Sequence, residues 1–148
     1  MDTVLYIHIL AATAWIGGSL FLFALGIFLR DKNAQSNVYL HIGPLYGYFE
    51  TFWLILLILT GTVLFIFNGL YDVLTLAPES SLGEAVKIKL LFVFAITVLT
   101  AIHMYLAFKT HGKERTLLQT VVSRSSSMLI FILNLFILWY AIQLRNFL

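Results

Sequence analysis

Residues 7–29 read IHILAATAWIGGSLFLFALGIFL, a stretch with one histidine and no charged side chain. A helix crossing a hydrocarbon core of ~30 Å needs about 20 largely apolar residues, and this run meets that length. A buried helix of a water-soluble protein would show a polar stripe, which is missing here. Residues 52–67 (FWLILLILTGTVLFIF) and 128–142 (MLIFILNLFILWYAI) have the same character. Working outward from these runs, four spans are predicted: Thr3 to Leu29, roughly Pro44 to Leu70, Ala85 to Phe108, and Ser127 to Leu144. The expected fold is all-α, an integral membrane four-helix bundle. The 148 residues should form a single transmembrane domain, because the connections are too short to hold a second. The first span is too long and too continuous with the rest to read as a cleaved signal peptide.

The chain has no cysteine. That excludes a disulfide framework, a thiolate metal site, an iron–sulfur cluster and c-type haem attachment, all of which need sulfur. Metal chemistry would have to use His, Met, carboxylate or Lys. The net charge is only +2 with no clustered basic face, so nucleic acid is not an expected partner. Charge asymmetry does suggest an orientation. The first and third connections hold Arg30, Lys32, Lys109, Lys113, Arg115 and Arg124. The second is acidic at Asp72, Glu79 and Glu84, followed by Lys87 and Lys89, and the tails add only Arg145. Because Lys and Arg are held on the cytoplasmic side of short loops, both termini are expected outside, on the periplasmic face of a bacterial inner membrane.

Histidines inside a membrane are costly and usually functional. At ~1.5 Å of rise per residue, His8 should lie ~7 Å below the outer surface and His103 ~9 Å from the inner one. His41, just ahead of Gly43-Pro44, should sit near the inner surface, with Pro44 in the first turn of its helix; His111 belongs to the charged inner loop. His8 and Trp15 are seven residues apart and share a face with Ala11, Ala12, Gly18 and Ser19. Small residues there allow close helix approach or room for a planar group. Lys89, Ile96 and His103 form a second heptad stripe, and Lys87 and Lys89 can also anchor at the outer interface.

Haem b suits a cysteine-free helical bundle with inward imidazoles, which makes His8, His41 and His103 candidate metal ligands. Trp15 and Lys87 are candidate cofactor contacts. His8 and His103 differ in depth by ~14 Å, given a ~30 Å core, so they are poor partners for one iron. His41 with His103 matches better, and His8 would need Lys87, Lys89, Met1 or a single-ligand site. Lys89 and Glu50 are the candidate catalytic groups: Lys89 toward an anionic substrate or haem propionates, Glu50 as a proton group or merely an interfacial acid. Asn134, midway along the last span, is expected to bond to a neighbouring helix.

The segment from His8 through Trp15-Ile-Gly-Gly, then Lys87-Ile-Lys89-Leu-Leu-Phe-Val and His103, resembles the HemJ-type and CopD-type group of small membrane proteins. The resemblance covers two of the four helices, and Trp-Ile-Gly-Gly is nearer the CopD-type pattern. It implies either oxidation of protoporphyrinogen IX with bound haem b, His8 and Lys89 being the residues carried over, or copper uptake and resistance. Copper is the weaker fit on ligands, since Met1, Met104 and Met128 form no cluster and Met104 points ~100° away from His103. The three functional classes are therefore a haem b redox protein acting on a quinone or porphyrin, a copper-handling protein, and an accessory subunit of a larger membrane complex. A homodimer is compatible with the composition, because lipid-facing and partner-facing surfaces look alike.

Overall fold

The computed structural model describes every residue except 112, 114, 115 and 148, and for Arg124 only its place on a helix. The described residues form five helices: α1 (Asp2–Phe28), α2 (Lys32–Phe67), α3 (Leu70–Leu76), α4 (Ser81–Lys109) and α5 (Leu117–Phe147). Four of them, all but α3, are long and apolar enough to cross a membrane. The protein is an integral membrane protein built as an all-α four-helix bundle. Large apolar side chains point outward along these helices, among them Phe21, Leu59, Phe94 and Leu135, as lipid rather than water would require.

All four spans begin earlier than expected, two of them by ten residues or more. α2 starts at Lys32 and runs through Pro44 without a break. The start signal is Asp31, whose carboxylate accepts a hydrogen bond from the Asn33 amide at 3.0 Å and so satisfies one of the first-turn donors. Pro44 therefore sits inside the helix, where it removes one backbone bond, a loss that membrane helices tolerate. α5 begins at Leu117, ten residues before Ser127. At 1.5 Å per residue α2 is about 54 Å long and α5 about 46 Å, both longer than a ~30 Å core. Their polar opening turns project from the same end of the bundle, the end where α1 turns into α2 and α4 into α5.

The opposite end carries both termini. There α2 stops at Asn68-Gly69, with Gly69 in the left-handed conformation (φ 68°) that glycine adopts without steric cost. This turn releases the short α3, a fifth helix not foreseen from hydropathy. Leu70 of α3 packs with Ala85, Val86 and Leu144 to close the terminal end. Ser80 caps α4 through Gly83 (3.1 Å). Gly83 is required in that turn, since a Cβ would lie 2.6 Å from the Ala77 carbonyl oxygen and 2.8 Å from that of Pro78.

Midway, Trp15 of α1, Ile96 of α4 and Ile130 of α5 form the central core, with Trp53, Leu54 and Leu57 of α2 against it. Contact is dense within the α1/α2 hairpin and within the α4/α5 hairpin, and sparse between them. The bundle is thus two hairpins meeting along a seam.

Candidate functional sites at the two ends of the bundle

His8 lies at the terminal end, on the α1 face that meets α2. Its Nδ1 is 2.8 Å from the Thr60 hydroxyl. The Thr60 hydroxyl donates to the Leu56 carbonyl at 2.7 Å, so its oxygen is left to accept and His8 Nδ1 is the donor. The Leu57 carbonyl lies within hydrogen-bonding reach of the same ring, which a donating Nδ1–H also satisfies. The neutral imidazole is held in one tautomer, with its lone pair on Nε2. The ring rests on Gly61, where an added Cβ would come within 3.1 Å of His8 Cε1. Across the seam, Lys89 of α4 is close enough to act on His8 electrostatically, and it forms no ion pair among the described residues. Ala11, one turn further along α1, is fully buried, which lets the backbones approach closely around this ring.

At the loop end a second polar group gathers side chains from all four long helices. Glu50 and Tyr46 of α2, Ser19 of α1, His103 of α4 and Ser127 of α5 line one small cavity together with Leu22 and Ile130. His103 Nδ1 lies 3.2 Å from the Ser126 hydroxyl, which donates to the Ser123 carbonyl at 3.0 Å. By the same reasoning His103 donates from Nδ1. Glu50 is only 4% exposed, and no described side chain donates a hydrogen bond to it; Tyr46 is its electrostatic neighbour. Met104, next to His103 in sequence, turns instead toward Gly47 of α2. The adjacent side chains therefore serve different helices.

Lys89 and His103 are fourteen residues apart on α4, about 21 Å at 1.5 Å per residue, and His8 lies level with Lys89. No single iron can take both His8 and His103. His41 is exposed on the projecting part of α2, its Nδ1 donating to the Asn37 carbonyl at 2.8 Å. Nine residues of helix, about 13 Å, separate it from Glu50, whose cavity His103 lines, so the depth-matched pair His41 and His103 is not brought together. His111 is exposed beyond the end of α4. Lys87 points away from His8 and forms an exposed ion pair with Glu79 at 3.2 Å. Trp15 is in the central core, and its indole Nε1 has no partner among the described residues.

Asn134 overturns the expectation of a bond to a neighbouring helix: it is buried, yet neither side-chain atom finds a partner among the described residues. The Thr100 hydroxyl is likewise buried without one. The residues that sequence reasoning passed over are Thr60, Gly61, Tyr46, Ser126 and Ser127. Their signal was weak, because Ser, Thr and Gly inside a span usually mark helix packing.

Among the described residues no group of three or more His, Asp or Glu side chains converges as a metal cage. A groove of about 430 Å³ runs between α4 and α5 along Ala101, Ile102, Tyr105, Leu106, Leu118 and Val122 and touches no histidine. Comparison with protein-family models, with curated proteins and with solved structures returns no match, so a functional assignment rests on the geometry of these two sites.

Proposed function

We propose that the chain is a membrane redox protein that binds haem b through His8. The observation that carries this reading is the tethered imidazole: Nδ1–H is committed to Thr60, which is how iron-ligating histidines are oriented, their second nitrogen donating to a fixed acceptor. The neutral ring then offers Nε2 to a metal. Gly61 leaves room for the ring itself, since a Cβ there would come within 3.1 Å of His8 Cε1, and Lys89 supplies a cation for the carboxylates of a porphyrin, whether cofactor or substrate. This chain would hold the haem through one histidine, His8, and not two, because His103 lies about 21 Å further along the bundle. Neither of the two cavities described above adjoins His8, which leaves the sparse seam between the hairpins as the approach. Bound there, haem b would supply one-electron chemistry within the bilayer.

The test is the absorption spectrum of the purified protein, oxidised and dithionite-reduced, with a pyridine haemochrome assay. A reduced b-type band lost in His8→Ala and retained in His103→Ala is the expected outcome. A protein that stays colourless after expression with haem precursor refutes the reading.

We further infer that the terminal end faces the periplasm of a bacterial inner membrane. Arg30, Lys32, Lys109 and Lys113 all lie at the loop end, as the positive-inside rule requires of a cytoplasmic face; Arg115 and the Arg124 side chain lie outside the described residues. The chain has no cysteine, so Asp2→Cys and Lys113→Cys each carry one thiol. An impermeant maleimide added to intact cells should label the first and not the second, and the reverse pattern would invert the orientation.

A further inference from the structure

The haem reading makes no use of the loop-end cavity. We propose that Glu50 and His103 form a proton-binding site there, the carboxyl and the imidazole sharing one exchangeable proton inside the bundle. Four observations converge on it. Glu50 is 4% exposed and receives no hydrogen bond from any described side chain, whereas a carboxylate retained for structure would be paired. The cavity that it lines has room, about 20 Å³, for a single water molecule, which needs ~10–15 Å³ and two to four polar partners. Those partners are present in the carboxyl, the imidazole and the hydroxyls of Tyr46, Ser19 and Ser127. Finally, Nδ1 of His103 is anchored to Ser126 and through it to the Ser123 carbonyl, which fixes the ring against the cavity wall.

The groups facing Glu50 come from every packed element. α1 contributes Ser19 and Leu22, α2 contributes Tyr46, α4 contributes His103, and α5 contributes Ser127 and Ile130. Of these described groups His103 carries the imidazole, the side chain chemically suited to exchanging a proton with a carboxyl. Transfer between the two groups is balanced within the site: a proton leaving the carboxyl oxygen is taken by the ring, turning a neutral acid and neutral imidazole into a carboxylate and an imidazolium. An unpaired buried carboxylate carries a large desolvation penalty, which either the bound proton or the adjacent imidazolium offsets. A divalent cation is a poorer occupant, because calcium takes 6–8 oxygen ligands and zinc three or four protein donors, more than this mixed pair supplies.

The test is infrared difference spectroscopy of the full chain in lipid vesicles over a pH titration, a readout independent of any cofactor. The wild type should show a protonated-carboxyl band that disappears in Glu50→Gln, persists in the surface control Glu84→Gln, and titrates at a different pH in His103→Gln. Gel filtration and thermal unfolding of each variant establish that the bundle is intact; should Glu50→Gln fail to fold, Glu50→Asp replaces it and must move the band. A band that survives in Glu50→Gln, or that titrates identically in His103→Gln, overturns the proposal. So does a band abolished by sodium chloride but not by potassium chloride at constant ionic strength, which would mark a cation site instead.

Discussion

The two ends of the bundle hold an imidazole in the same way and give it opposite company. At the terminal end, His8 donates to a threonine hydroxyl, lies against a glycine and has as its electrostatic neighbour Lys89, which forms no ion pair among the described residues. At the loop end, His103 donates to a serine hydroxyl and shares a cavity with a buried carboxyl, Glu50. In both, a hydroxyl that has already given its proton to a backbone carbonyl dictates the tautomer. An imidazole with a fixed lone pair and an adjacent cation is suited to a metal and an anionic ligand, whereas one beside a carboxyl is suited to proton exchange. The difference between the sites therefore lies in the neighbour on the facing helix, not in the histidine.

The sharpest way to break this comparison is to exchange the roles of the two rings. His8→Ala should abolish haem retention and His103→Ala should leave it intact, measured by pyridine haemochrome per mole of protein; equal loss in both would erase the distinction between the ends. Thr60→Val removes the acceptor that orients His8 while keeping the shape, and should weaken haem binding by ~10–100-fold, the usual cost of losing an orienting partner. The corresponding Ser126→Ala at the loop end should leave haem titrations unchanged.

Glycine substitutions sharpen the contrast in stability. Gly83→Ala at the terminal end drives a Cβ against two backbone carbonyl oxygens at 2.6 and 2.8 Å, neither able to rotate away, and should lower stability by ~2–3 kcal/mol in thermal or denaturant unfolding. Gly47→Ala at the loop end meets side chains rather than backbone, Met104 Cε at 2.8 Å and Phe108 Cζ at 3.3 Å. A flexible thioether can move aside, so a loss below ~1 kcal/mol is expected. Between the ends, Asn134→Leu replaces a buried amide that has no partner by an apolar side chain of similar size, and should raise stability by about 1 kcal/mol; a decrease would show that the amide is satisfied in the membrane. Smallest of all, Lys87→Met breaks an ion pair whose members are 45% and 85% exposed, and should change unfolding by less than ~0.5 kcal/mol and haem binding not at all.

Much of the architecture was legible in the chain. Uncharged runs such as residues 7–29 and 128–142 require helices in a bilayer, because backbone groups there must be satisfied within the segment. Helix ends were less legible. Pro44 suggested a first turn, but the Asp31 cap fixed the start twelve residues earlier, since a cap satisfies donors at the helix end while a proline inside costs one bond. The short α3 was invisible to hydropathy because its existence depends on the Gly69 turn and on Leu70 finding Val86 and Leu144.

Of the site residues, the sequence by itself determined which side chains are chemically notable: His8, His103, Lys89 and Glu50 stand out because titratable groups in a membrane span are expensive. It also determined that His8 and His103 lie near opposite ends, since depth follows from helical rise alone. Only the tertiary structure decided which groups meet. Residues 8 and 60, or 50 and 103, are brought together by the hairpin pairing, and rotation of each helix about its axis follows from packing at positions such as Trp15, Ile96 and Ile130. In lipid both faces of a helix are apolar, so no stripe of hydrophobic residues announces that rotation in advance. That is why Thr60, Tyr46 and Ser126, ordinary residues in sequence, became the partners of the notable ones, and why Asn134 was left without one.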